Sequence, residues 1–112
     1  MTPPYETEVR VWRDEQPGDD ARLHVAATFV PRPGAAAWTE IDLVGLRLRA
    51  GDGVWQPEHG ALRSLSDGAF EIRAQGAATI AAGTTVTPVI ELRTSAGPKE
   101  FVVSESVVQL VR

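Results

Sequence analysis

Apolar side chains in this chain recur every second residue and nowhere at the 3.6-residue period of a helix. The clearest run is 22–30. Leu23, Val25, Ala27 and Phe29 share one phase, and Arg22, His24, Ala26 and Thr28 share the other. Successive side chains of a strand point to opposite faces, so this pattern predicts a strand with one face on a core and one toward water. Comparable runs follow down the chain, separated by Gly, Pro and Asp. The expectation is a soluble all-β domain. Alternation of this kind specifies shape and leaves activity open.

The first strand is expected over 5–13, with Tyr5, Val9 and Val11 in one phase. Trp12 falls in the other, among Glu6, Glu8 and Arg10. The stretch 14–20 (DEQPGDD) reads as a turn. A second strand over 21–30 must stop at Pro31, which cannot donate to a ladder. A loop through Ala35–Ala37 and Trp38 leads to a third strand over 39–49. Its phase slips from Ile41 and Leu43 to Leu46 and Leu48, and Gly45 sits at the slip. A one-residue slip flips every later side chain unless a bulge absorbs it, so a bulge is expected near Val44-Gly45. Asp52-Gly53 and Asp67-Gly68 are hairpin signals. They organise short strands over 54–56, 61–66 and 69–75, with 57–60 as a break and a 3₁₀ turn as the alternative for 61–66.

The small-residue stretch 76–83 (GAATIAAG) suits a crossing between sheets, with Ile80 as its anchor. In the next strand, 84–94, Pro88 lies in the inward phase and predicts a bulge or one-sided pairing. A final strand over 99–112 changes phase at Ser104-Glu105-Ser106. Seven or eight short strands with no helix imply two antiparallel sheets in a Greek-key β-sandwich. The strand number and length suit an immunoglobulin-like or fibronectin-III-like arrangement; a jelly roll or small β-barrel is the alternative. There is no Cys pair around a Trp, and no Tyr near the penultimate strand. Residues 1–4 read as a lead-in and 5–112 as a single domain; a chain of 112 residues suffices for one core and not two.

Composition removes several functions. A net charge of −4 opposes a phosphate backbone, so nucleic acid is not an expected partner. With no cysteine, disulfides, thiolate chemistry and Cys-based zinc sites are out. No segment approaches the ~18 apolar residues of a membrane span, and 1–8 lacks the features of a signal peptide. The protein is therefore expected to be cytoplasmic or a trimmed exported domain.

Candidate chemistry is sparse. His24 falls on a polar strand face, and no Gly-x-Ser-x-Gly elbow is present. Glu58-His59 carries a faint metal or acid–base signal, yet a closed metal site needs three or four ligands. Asp19, Asp20 and Asp52 are explained by turn chemistry. The arginines at 47, 49, 73 and 93 share outward phases with Glu40, Glu71 and Glu91, which suits cross-strand pairing. No cofactor is expected. The best functional signal is the three tryptophans. Trp12, Trp38 and Trp55 are candidates for a contact surface, because Trp dominates interfaces; Trp38 and Trp55 can equally cap the ends of a sandwich. Val107, Val108 and Val111 form an apolar run that needs cover on both sides, from the domain itself or from a second copy. These features favour a non-catalytic protein-interaction module that pairs with a second copy or docks on another protein chain. A carbohydrate-binding module using the same tryptophans is the first alternative, and a small enzyme using Glu58, His59 and an aspartate the second.

Overall fold

The computed structural model describes residues 4–14, 21–35 and 37–111. The strands are β1 (Tyr5–Asp14), β2 (Arg22–Pro31), β3 (Ile41–Ala50), β4 (Gly53–Trp55), β5 (His59–Ser64), β6 (Phe70–Ala77), β7 (Thr85–Thr94), β8 (Gly97–Val102), β9 (Ser106–Val107) and β10 (Gln109–Val111). The first sheet runs β10-β1-β2-β6-β5 and the second β4-β3-β7-β8, with β9 also paired to β7. The two sheets pack over one core. The turn expected at 14–20 lies outside the described residues from 15 on, as do Asp19 and Asp20.

The inward phases make the core. Leu23, Val25, Ala27 and Phe29 of β2 are buried, facing Leu46, Leu48, Ile90 and Leu92 of the opposite sheet. Each such side chain is stabilised by roughly 1.5–3 kcal/mol relative to exposure. At one end the rings of Phe29 and Phe70 stack with centroids 4.5 Å apart and planes 7° off parallel. Their Cα atoms are register partners on β2 and β6, so the ladder itself brings the rings together. Tyr5 and Phe101 close this end edge-on to them, and the Trp38 backbone N–H donates to Tyr5 Oη at 2.9 Å.

The opposite end is closed by Trp55. Its indole leaves the second sheet, reaches the first, and donates Nε1–H to the Ala77 carbonyl at 2.8 Å. Gly76 makes this possible. It occupies the inward phase of β6, where a Cβ would stand 2.9 Å from Trp55 Cζ2 and 3.2 Å from the Glu58 backbone nitrogen.

Several local expectations hold. The register of β3 against β7 shifts between Leu43 and Gly45, as a bulge requires. Ile80 is buried within the connection from β6 to β7, which crosses between the sheets. Pro88 pairs with Leu48 on one side only. Its carbonyl accepts from the Val103 N–H, so its missing N–H falls on that same side, and the ladder there lapses between Val89–Val102 and Val86–Ser106. Asp67 and Gly68 have φ of 58° and 80°, and Ala69 N–H donates to Ser66 O. Hydrogen bonding alone makes this a 3₁₀ turn; two positive φ values make it the type I′ turn that Asp-Gly favours.

Other expectations need correction. The β3–β4 turn centres on Gly51-Asp52, with Gly53 already paired to Ala50. β5 starts at His59, inside the expected break, because Pro57 precedes the ladder and leaves it intact. The largest departure is the final strand. The segment 99–112 is three pieces: β8 and β9 on β7, then β10 on β1. β10 runs parallel to β1, so the first sheet is mixed rather than antiparallel, and ten short strands replace seven or eight.

Packing of this kind predicts that Gly76→Ala unfolds about 1–3 kcal/mol more easily than wild type in urea denaturation, because the obstacle includes backbone that cannot step aside. Phe70→Ala is expected to lose about 3–5 kcal/mol in the same assay.

Candidate interaction face and edge

The outer face of the first sheet is where the outward phases of β1, β2, β6 and β5 meet. Register places Trp12 opposite His24, His24 opposite Gln75, and Gln75 opposite His59. On the far side Trp12 pairs with Gln109 of β10. One row of side chains thus crosses all five strands. The Trp12 indole lies on the His24 imidazole, centroids 5.2 Å apart and planes 10° off parallel. His24 Nε2 stands 3.9 Å from Asp14 Oδ2, at the limit of an ion pair and only if protonated. The neighbouring row reads Arg10, Ala26, Arg73, Ala61. Ala61 is short and Gly60 beside it has no side chain, and a hollow of 320 Å³ opens there beside the Trp12–His24 row.

The candidate residues separate sharply. Trp12 is half-buried on this face. Trp38 is half-buried against Tyr5 and Phe101. Trp55 is 5% exposed and Val108 is 1% exposed, so neither presents a contact surface. Trp55 was drawn inside by the slot at Gly76. Val108 was drawn inside because the chain changes sheets there, held by Val108 N–H to Thr84 O and by Gly83 N–H to Val108 O. Val107 and Val111 remain on the surface at 54% and 43%, joined by Leu110 at 42%. Leu110 and Val111 belong to β10, the outer edge of the first sheet.

Glu58 and His59 are adjacent in sequence, and no ion pair between them is present among the described residues. Glu58 Oε2 is held by Arg22 Nη2 at 3.0 Å. His59 points into the row above, separated from His24 by the intervening strand of Gln75, about 10 Å at the usual strand spacing. Among the described residues no group of three or more His, Asp or Glu is arranged to hold a metal. Of the four outward arginines Arg47 pairs across strands, while Arg73 takes Glu71 of its own strand, which Arg63 approaches from β5. Arg47 binds Glu91 at 2.8 Å and approaches Glu100 at 3.8 Å, while Glu71 takes both Arg73 at 2.9 Å and Arg63 at 3.6 Å. Among the described residues no helix is long and apolar enough to cross a membrane.

Alternation puts Arg10, Trp12 and His24 on polar phases, but Gln75, His59 and Gln109 join them only through strand register, which no single strand reveals. Compared with known protein families the chain matches none, and no curated protein matches it.

Placement sets the stability of the tryptophan variants. Trp55→Ala is expected to cost about 3–5 kcal/mol, through the lost slot-filling and the orphaned Ala77 carbonyl. Trp12→Ala is expected to cost about 1–2 kcal/mol. Chemical denaturation of both variants beside wild type measures the contrast.

Proposed function

We infer that this chain is a non-catalytic β-sandwich interaction module that pairs with a second copy of itself through β10. The observation carrying this reading is the state of that edge. Among the described residues β10 has a partner strand on one side only, and Gln109–Val111 carries neither a charge nor a proline. Leu110 and Val111 both stand more than two-fifths exposed, on opposite faces of the sheet. Two of the other edges are guarded, whereas the three-residue β4 (Gly53–Trp55) is, like β10, without charge or proline. β8 carries Pro98, Lys99 and Glu100, and β5 carries Arg63. Charges and proline on an edge are the usual defence against strand addition, and an apolar edge without them is a template for another strand.

A second copy suits the site. Two β10 strands brought together antiparallel about a two-fold axis are self-complementary, with Leu110 opposite Leu110 and Gln109 opposite Val111. Each backbone donor then meets an acceptor, and the first sheets of the two copies join into one. Three residues bury little area, so the association is weak and fast. The strand orders β1-β2-β6-β5 and β4-β3-β7-β8 also support an immunoglobulin-like Greek-key architecture, a scaffold well suited to recognition at its edges.

Sedimentation velocity up to about 1 mM protein, where even a millimolar dimer is populated, tests the reading. Wild type is expected to shift toward dimer mass with concentration, and Leu110→Lys/Val111→Lys to stay monomeric. A wild-type mass that stays at the monomer value throughout would rule the pairing out.

A further inference from the structure

We propose that the outer face of the first sheet binds a saccharide, with the Trp12 indole as the stacking platform and Gln75, His59 and Arg73 as its polar rim. The site does not depend on β10 pairing. It is built from β1, β2, β6 and β5 alone.

Three observations converge there. First, the indole is pre-oriented. Its stacking on His24 fixes the ring plane, so a ligand meets an ordered aromatic surface rather than a freely rotating one. Second, the neighbouring positions are empty. Ala61 and Gly60 line the hollow beside it, whose 320 Å³ is at the small end of the roughly 300–1,000 Å³ range of ligand sites. Third, the polar groups facing the hollow are uncommitted. Elsewhere on this face carboxylates and guanidiniums take each other. Here the Gln75 amide and the His59 imidazole have no hydrogen-bond or ion-pair partner among the described residues. Arg73 gives only its Nε–H to Glu71.

The chemistry of these groups selects the ligand class. A pyranose ring has one face of C–H bonds and a rim of hydroxyls that both donate and accept. An indole offers the flat, polarisable counterpart of the first. An amide and an imidazole each donate and accept, and a guanidinium donates in a fork, which matches the second. A metal ion is a poor fit, since the two histidines lie a full strand apart and zinc ligands sit ~2 Å from the ion. A nucleic acid is a poor fit because the chain carries −4 overall. The row runs across the strands, so an extended oligosaccharide would lie perpendicular to them, from Trp12 toward His59.

Calorimetric titration with cellohexaose, xylohexaose, chitohexaose, maltohexaose and polygalacturonate tests this, with amide and indole NMR shifts locating the contact. At least one probe is expected to bind wild type and shift the Trp12 indole resonance. Trp12→Ala should weaken that binding tenfold or more. His59→Ala and Gln75→Ala, exposed substitutions that leave the fold intact, should each weaken it about three- to tenfold. Leu110→Lys should leave it unchanged, which separates this site from the β10 edge. The proposal fails if none of the five probes binds wild type. It also fails if a probe binds and neither His59→Ala nor Gln75→Ala alters its affinity.

Discussion

Burial of one phase of every long strand between two sheets is the constraint on which the rest of this structure depends. With Leu23, Val25, Ala27 and Phe29 committed inward on β2, the residues between them have no choice of face. His24 and Arg22 are outward because their neighbours are inward. The same holds for Trp12 on β1 and Gln75 on β6. The outer face of the first sheet is thus the complement of the core, written by the same alternation. Ala61 belongs to that complement as well, and its short side chain lines the hollow in that face.

The two ends of the sandwich are closed by different physics. At one end, Tyr5, Phe29, Phe70, Trp38 and Phe101 meet ring to ring, with a single hydrogen bond tying the Trp38 backbone to the Tyr5 hydroxyl. At the other, one large side chain fills a slot left by a missing one. Trp55 lies against Gly76 and satisfies its indole N–H on the first sheet. A tryptophan used this way is a structural tie between layers, which is why it is lost to any contact surface.

The C-terminal region ends at an exposed sheet edge because it changes sheets. Pro88 withholds a donor on the side of β7 that faces β8 and β9, and the ladder breaks there. The chain then turns inward at Val108 and emerges beside β1 as β10. A single continuous strand over this region would have kept its apolar residues on one sheet. The crossing instead buries Val108 between the sheets and leaves Leu110 and Val111 at an open margin. The exposed edge and the buried valine are two consequences of one change of direction.

Much of the fold was legible in the residues themselves. The alternation of 22–30, the slip at Gly45, the Asp67-Gly68 turn, the one-sided pairing at Pro88 and the Ile80 crossing all follow from local geometry, where side-chain phase, proline's missing N–H and glycine's positive φ act within a few residues. What lay beyond them was contact between distant segments. The slot that buries Trp55 needs Gly76, 21 positions later, to face it. The parallel pairing of β10 with β1 joins the last strand to the first. The row from Gln109 through Trp12, His24 and Gln75 to His59 exists only once five strands are in register. Alternation determines which face each side chain takes; only the closing of the two sheets decides which side chains become neighbours, because register is set by packing across the whole core and not within any one strand.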